Sequence, residues 1–382
     1  MIRSAIVQSD WRFGMSKKKG AVRVGQVGYR GRGRSLAKSW INVENAELVA
    51  LADNVDENRQ TFSEAFPGIS IYDSHTEMLE KENLDILTIG TRASFRPPII
   101  KDATAANIKG IYVEKPVADS LVEADEMINQ CKNNGTLLVV GHQRRWTEQF
   151  IWIRNAIRNG AIGTPTHGYL YWSAGRLGSN GTHFLDAANF SVSSNPVEVM
   201  GTVKYGQNLE KTDVHPTLNQ RMMKDPGIMG SVTYSNGFRL AIDALNDVLL
   251  PFTWIFCGTG GRIDLIQNSE WEIEYWSRDN DLSYLMEPTV TIKDFYSGIG
   301  SNPITLRKPP NLAPYNGIDV VSKGYSELID CIETGDTPSS TGDDARMALE
   351  MIVGFHHSSE NDGTVVKLPL QGDHRNYKLD TH

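Results

Sequence analysis

The sequence lacks the features that mark several broad classes of protein. It has only three cysteines in 382 residues, and Cys131, Cys257 and Cys331 lie far apart without CxxC or CxxH spacing. This pattern excludes a local disulfide framework and a structural zinc site, so we expect no metal and a reducing, cytoplasmic environment. No apolar run reaches the roughly 20 residues that span a bilayer, and the net charge of -8 argues against a nucleic-acid partner.

What is present describes an ordinary globular protein of two domains. Hydrophobic residues make up 40% and charged residues 22% of a chain that is long for one domain. Residues 1–20 contain a Lys-Lys-Lys run but no continuous apolar core, which excludes a secretory signal. We therefore expect a flexible N-terminal extension at 1–20, a first domain at 21–141 and a second domain at 142–382.

A glycine-rich turn follows the first predicted strand, Val-Arg-Val-Gly-Gln-Val-Gly at 22–28. Glycines let the backbone approach a pyrophosphate, which free N–H groups at a helix start then hold. The fit to G-x-G-x-x-G is imperfect, because an arginine occupies the second glycine position, and plain turn chemistry explains such a stretch about equally well. The predicted cofactor contacts here are Gly28, Arg30, Gly31, Arg32 and Gly33.

An acid follows the next strand, since the apolar run at 47–52 ends at Asp53, about 20 residues past the glycine turn. A carboxylate at that distance accepts hydrogen bonds from the adenosine ribose and repels a 2'-phosphate, which favours NAD over NADP. The alternative is that Asp53 only caps the helix that begins near Val55.

The alternation of strands and helices then continues to residue 140. It predicts an α/β fold with a Rossmann doubly wound parallel sheet, because repeated strand-helix-strand units require parallel strands with helices on both faces. Six alternating apolar segments, several with tryptophan, follow at 166–172, 197–205, 228–234, 238–244, 261–266 and 270–276. They indicate a second α/β domain with a large, mainly antiparallel open sheet. An uncovered sheet face favours a homodimer or homotetramer. Two final helices, at 320–333 and 343–357, are expected to pack back against the first domain or to cover the second sheet.

The stretch Ile-Tyr-Val-Glu-Lys-Pro at 111–116 has the strongest functional pattern. The proline keeps Lys115 extended at the carboxyl end of a strand, which is the edge where open α/β sheets bind ligands. One interpretation is a surface salt bridge between Glu114 and Lys115. The other is a proton-transferring lysine whose pKa is lowered by partial burial and by the positive ring of a cofactor.

These residues resemble the glucose-fructose oxidoreductase and inositol dehydrogenase family of nicotinamide-dependent enzymes over nearly all of 22–370. The marks are Glu-Lys-Pro at 114–116, Gly-Ala-Ile-Gly-Thr-Pro at 160–165, Gly-Thr-His-Phe-Leu-Asp at 181–186, and the tail from Pro338 to Leu370. The resemblance implies a Rossmann domain followed by an α/β domain whose open sheet faces the active site. It also implies that Lys115 lies near nicotinamide and substrate, with Thr91 and Glu114 beside the cofactor, and that His183 transfers a proton or orients substrate.

Asp186 follows His183 by three residues, so the two share a face if the segment is helical. The acid would then orient the imidazole or bind a substrate hydroxyl. Relatives commonly carry an acid four residues before that histidine, whereas here Ser179 and Asn180 offer only hydrogen bonds to substrate. The loop that begins at Thr91 also departs from the family pattern.

The residues predict an NAD-dependent dehydrogenase that moves a hydride between nicotinamide and a secondary alcohol of a sugar, cyclitol or sugar derivative. Lys115 is the predicted general base, and His183 assists. Arg144, Arg145 and Trp146 either border the substrate, where a carboxylate or phosphate would suit the arginines, or form an ion pair and domain packing. The rival functions are a redox-neutral sugar enzyme, such as an epimerase or a glycoside-cleaving enzyme, and a catalytically silent cofactor-sensing regulator.

Overall fold

The computed structural model describes residues 20–173, 175–204, 225–244, 251–268, 271–278, 289–301 and 304–379. The predicted extension at 1–20 therefore lies, apart from Gly20, outside the described residues. Within the described ranges, no helix is both long and apolar enough to cross a membrane.

The first sheet has six parallel strands in the order β3-β2-β1-β4-β5-β6. The strands are β1 Val22–Val27, β2 Ala46–Ala52, β3 Ser70–Tyr72, β4 Ile86–Ile89, β5 Gly110–Val113 and β6 Leu137–Val140. Its helices are α1 Arg32–Ser39, α2 Asp56–Ala65, α3 His75–Lys81, α4 Arg96–Ala105 and α5 Leu121–Asn133. All residues of β4 and β5 are buried, as expected for strands covered on both faces. The doubly wound prediction is confirmed, and the strand order reverses between β1 and β4, where ligands of such sheets bind.

Local sequence sets the helix boundaries in this domain. The Ser120 side chain accepts a hydrogen bond from the Glu123 amide and so caps α5. Two prolines stand in the first turn of α4, where a fixed φ suits the helix and no N–H is needed. These local signals set where α4 and α5 begin.

The second sheet has nine strands in the order β14-β13-β12-β11-β7-β10-β9-β8-β15. They are β7 Pro165–Tyr171, β8 Pro196–Lys204, β9 Gly227–Tyr234, β10 Arg239–Ala244, β11 Phe252–Gly258, β12 Gly261–Gln267, β13 Trp271–Ser277, β14 Thr305–Arg307 and β15 Val366–Lys367. Only the β7–β10 pair is parallel among these described strands, which confirms the mainly antiparallel prediction. The sequence did not predict β11, which lies between β7 and β12.

Five more helices complete the described fold: α6 Glu148–Arg158, α7 Thr182–Val192, α8 Ile292–Ser301, α9 Gly317–Thr334 and α10 Gly342–Glu360. Helix α9 returns to the first sheet, where Tyr325 stacks on Trp40 at 3.8 Å between ring centres and meets Tyr112 edge-on at 4.8 Å. Helix α10 packs on β8 and α7. Helix α10 also contacts α5 and β6, so it fills both predicted roles, whereas α9 packs against the first domain.

Candidate active site

Lys115 follows β5 at the carboxyl edge of the first sheet and reaches across to the second domain. Its Nζ donates a hydrogen bond to the main-chain oxygen of Ser179 at 2.8 Å. The side chain keeps some contact with solvent, but dense protein surrounds it. Burial lowers the pKa of Lys115 to about 8; the charge of Glu114 opposes this, and the guanidinium groups of Arg176 and Arg144 add to it.

The interpretation of Glu114 and Lys115 as a surface salt bridge does not describe the structure. Glu114 is buried and accepts a hydrogen bond at 2.9 Å from Nε of Arg32, whose Nη2 also donates to Gln143 at 2.7 Å. The first turn of α1 and the end of β5 are therefore tied together by an ion pair. Arg30, which takes a glycine position of the fingerprint, is exposed on the loop.

The glycine turn fits a dinucleotide. Gly28 has a φ of +88°, and a Cβ added at Gly33 would lie 2.4 Å from the Gly28 carbonyl oxygen, so larger residues do not fit this turn. Helix α1 begins after Gly31 without a side-chain cap, which leaves amides at its start available to an anion. Thr91 lines the same crevice, with its buried Oγ1 unpaired in the described structure.

Asp53 closes the turn between β2 and α2. Its Oδ2 accepts a hydrogen bond from the Tyr29 amide at 2.8 Å, and its Oδ1 accepts one from the Val55 amide at 2.9 Å. The Asn58 side chain donates to both oxygens at 3.1 Å. Asp53 therefore braces the turn before α2, but no side chain in the described structure caps the first turn of that helix, and the contact of Asp53 with a ribose stays a prediction.

His183 lies in the first turn of α7, directly after a π-helical turn at Leu177–Gly181. Its Nδ1 is buried and has no hydrogen-bond partner among the described residues. Burial, followed by the charges of Lys115 and Arg144, lowers the pKa of His183 well below its ordinary value. The imidazole is therefore neutral at neutral pH and keeps a free nitrogen for a ligand.

Asp186 does not orient His183, which corrects the prediction from their spacing. Its carboxylate is fully buried and accepts three hydrogen bonds from the Arg145 guanidinium at 2.8 to 3.0 Å. His142 Nδ1 lies 3.2 Å from Asp186 Oδ1, and His142 Nε2 lies 2.9 Å from the Thr182 hydroxyl. Burial alone would raise the pKa of Asp186, yet Arg145 and His142 bring it to about 2. Sequence reasoning missed His142 because nothing in its local pattern distinguishes it.

The residues of the predicted Arg-Arg-Trp group have different roles. Arg145 is held by Asp186 and also lies 3.2 Å from Asp344. Trp146 donates to Glu327 at 2.6 Å, and its indole packs against Gly324 of α9. The alternative of ion pairing and packing therefore describes Arg145 and Trp146.

Arg144 differs from its two neighbours because it lies with Lys115 and His183. Three aromatic rings surround its guanidinium carbon, at 4.5 Å from the ring centre of Phe184, 5.3 Å from Trp254 and 5.7 Å from Trp271. Nη2 donates to the Gln267 side chain at 3.3 Å. Nε is buried and unpaired within the described part of the chain.

An acid missed by sequence reasoning supports the loop that contacts Lys115. Asp225 accepts hydrogen bonds from the Gly178 amide at 2.6 Å and the Ser179 amide at 2.8 Å. The Ser179 hydroxyl is buried and unpaired in the described structure, and Asn180 is half-buried at the end of the same turn. No local signal reveals Asp225, because it lies 46 residues from Ser179 in the sequence.

Comparison with known proteins places the first domain and its chemistry. Residues 22–142 match the oxidoreductase family with an NAD-binding Rossmann fold. The match covers about a third of the chain, all of it in the first domain. The match includes Glu-Lys-Pro, and together with the relatives below it confirms the resemblance drawn from the sequence; the protein is an NAD(P)-dependent oxidoreductase.

Individual relatives are distant in sequence. The chain is 24% identical over 360 residues to D-apiose dehydrogenase from Paraburkholderia graminis, covering 89% of this chain and 88% of that one. It is 25% identical over 144 residues to myo-inositol 2-dehydrogenase from Thermotoga maritima, covering 38% and 43%. The fold is similar to an oxidoreductase from Agrobacterium radiobacter in complex with NAD+, L-tartaric acid and magnesium. That similarity has a TM-score of 0.72, 19% identity and coverage of 91% and 98%.

Proposed function

We propose that this oxidoreductase uses NAD and moves a hydride between nicotinamide and a secondary alcohol carbon of a sugar, cyclitol or sugar derivative. The single observation that supports it most is Lys115, a lysine with a pKa of about 8 at the edge where the two domains meet. A lysine in that range serves as a base near neutral pH, whereas an exposed lysine stays protonated.

The side chains around Lys115 have complementary tasks in this proposal. During oxidation the neutral Lys115 amine accepts the proton of the substrate hydroxyl, and during reduction the ammonium returns it. The Ser179 carbonyl, 2.8 Å away, holds Nζ in place. The free Nδ1 of neutral His183 forms a hydrogen bond with the substrate and orients the hydroxyl. When bound, the nicotinamide ring supplies the site that accepts or donates the hydride.

The residues proposed to hold the dinucleotide surround the glycine turn. The amides at the start of α1 hold the pyrophosphate, and the unpaired Thr91 hydroxyl faces the crevice beside it. Asp53 favours NAD over NADP, because its carboxylate would repel a 2'-phosphate. The Arg32–Glu114 pair keeps a cation at the inner end of this crevice.

We also propose that the open face of the second sheet pairs with another copy of the chain, giving a homodimer or homotetramer. Tyr169, Met200 and Met229 are exposed on β7, β8 and β9 by 39%, 43% and 55%. The register places Tyr169 and Met200 in one row across the sheet. Light scattering during gel filtration tests this, since a monomeric mass at micromolar concentration would contradict it.

The proposed reaction is tested by following nicotinamide absorbance with purified protein, NAD and a panel of cyclitols, aldoses, polyols and uronic acids. We expect a substrate-dependent rise for one chemical class. In parallel, calorimetry measures whether NAD binds. Tight NAD binding without absorbance change for any substrate would contradict the proposal and favour a redox-neutral or regulatory role.

A further inference from the structure

Among the described residues, the candidate active site holds more positive charge than negative charge. The charges of Arg144 and Arg176 both act on Lys115, so both arginines lie near that lysine. The acids near them are already committed within the protein. Glu114 pairs with Arg32, Asp186 with Arg145 and His142, and Asp225 with two main-chain amides.

Arg144 shows the imbalance most clearly. Its side chain is only 7% exposed, and among the described residues no carboxylate lies within ion-pair distance of it. A buried charge without a counterion is costly, and contacts with the faces of aromatic rings offset only part of that cost. Within the described part of the chain, the neutral Gln267 oxygen accepts from Nη2, and the Nε proton has no acceptor.

Arg176 is a second cation near Lys115. It has a left-handed backbone with a φ of +65°, directly before the π-helical turn that contains Ser179. Such a conformation is uncommon for a residue with a side chain and is strained. Its guanidinium lies near enough to Lys115 to lower the pKa of that lysine, and no described carboxylate pairs with it.

The surroundings of Arg144 assign these cations to the substrate rather than to the pyrophosphate. Phe184, Trp254 and Trp271 belong to α7, β11 and β13 of the second domain, whereas the glycine turn belongs to the first. An oxidised nicotinamide also carries a positive charge, so it increases the imbalance. A neutral sugar would leave the charge uncompensated.

We propose that the substrate is an acid, namely a sugar or polyol with a carboxylate that Arg144 binds while Lys115 acts on a nearby hydroxyl. This rests on the proposed dehydrogenase function. Nε is buried without an acceptor in the described structure and Nη2 has only a neutral one, so a carboxylate that reaches this edge of the planar guanidinium would satisfy both N–H groups. Arg176, which is half-buried, contributes a second positive charge near Lys115.

The test compares matched substrates that differ only in charge: an aldose with its uronic acid, and a polyol with its aldonic acid. Initial rates with NAD give kcat/KM for wild type, Arg144→Gln, Arg144→Lys and the control Arg239→Gln, an exposed arginine on β10. We expect wild type to prefer the acid by on the order of 10²-fold, and Arg144→Gln to remove most of that preference through KM. Arg144→Lys should recover part of it, because the charge remains without the fork.

Several results would overturn the inference. Equal kcat/KM for acid and neutral substrates in wild type would remove the acid substrate but leave the dehydrogenase standing. A strong preference for sugar phosphates over uronic acids would mean that Arg144 binds a phosphate and not a carboxylate of the substrate. If Arg144→Gln lowers kcat/KM equally for the acid and for the matching neutral substrate, the arginine is only structural.

A binding measurement separates this inference from the proposed function. Calorimetry of the wild-type protein with NAD and a uronic acid should show binding that the matching aldose does not show at the same concentration. If that difference appears without any turnover, the acid site stands and the dehydrogenase proposal fails. If neither sugar binds, the inference itself is overturned, and this holds even if Arg144 variants do not fold.

Discussion

The pH dependence of turnover provides a detailed test of Lys115. Its pKa of about 8, against an ordinary value of 10.5, has a direct consequence for the amount of free amine. At neutral pH about one lysine in ten is deprotonated instead of about one in 3000, so the site holds roughly 300-fold more base. The local environment of Lys115 thus makes proton abstraction possible under physiological conditions.

The sign of the effect differs for the two directions of the reaction. Oxidation requires the neutral amine, so kcat/KM should rise with pH and level off above about pH 8. Reduction requires the ammonium, so its rate should be highest below that midpoint and fall above it. Steady-state rates of oxidation and of reduction from pH 6 to 10, followed by nicotinamide absorbance, measure both pH dependences.

Arg32→Gln sharpens the test because it removes a cation and leaves Glu114 without its partner. Both changes favour the protonated lysine, so the midpoint of the rise in oxidation rate with pH should move to higher pH at saturating NAD. Identical pH dependence in the two directions would refute the reasoning. A midpoint near that of free lysine in wild type would refute it as well.

Three further predictions concern Lys115, Asp225 and Asp53. Lys115→Met should stabilise the fold by about 2 kcal/mol near neutral pH. Below pH 8, keeping Lys115 protonated in the folded state lowers the free energy of unfolding by about 3 kcal/mol, and the hydrogen bond lost with the lysine contributes about 1 kcal/mol in the other direction. This gain in stability should fade as pH rises from about 8 to 10.5, because the lysine becomes neutral first in the folded and then in the unfolded state. Urea denaturation at several pH values measures the gain. A gain that does not change with pH would contradict the prediction. Asp225→Asn should lower kcat on the order of 10-fold, because it loosens the Ser179 carbonyl that holds Lys115. It also removes a negative charge, so the midpoint of the rise in oxidation rate with pH should move to lower pH. An unchanged midpoint would mean that Asp225 is only structural. Wild type should have a higher kcat/KM with NAD than with NADP, and Asp53→Asn should lower the ratio of these two values on the order of 10-fold. An unchanged ratio would mean that Asp53 does not determine which cofactor is used.

The first domain was predictable from sequence because its local signals agree with its packing. Buried parallel strands read as short apolar runs, and the glycine turn, the caps and the prolines fix where helices begin. The second domain was predictable in type but not in detail. Strand β11 was missed because Phe252–Gly258 is apolar with little alternation, and α8 was missed because glycines 298 and 300 weaken its helical pattern.

The site shows the same division between local and distant information. Lys115 and His183 stood out because the residues beside them, a strand-ending proline and a characteristic segment, mark their positions. Asp225 and Gln267 did not, since their contacts join residues 46 and 123 positions apart. The role of Asp186 was mistaken for a related reason, because spacing on a helix shows which residues share a face but not which distant cation meets them.

The most direct test of the central claim compares two lysines at opposite ends of β5. Lys109 precedes the strand, is exposed and pairs with Asp85, whereas Lys115 follows it inside the site. With a substrate from the panel and saturating NAD, Lys115→Ala should lower kcat by on the order of 10²-fold or more. Lys109→Ala should match wild type, and calorimetry should show equal NAD binding in all three proteins. Turnover by Lys115→Ala at the wild-type rate would contradict the account.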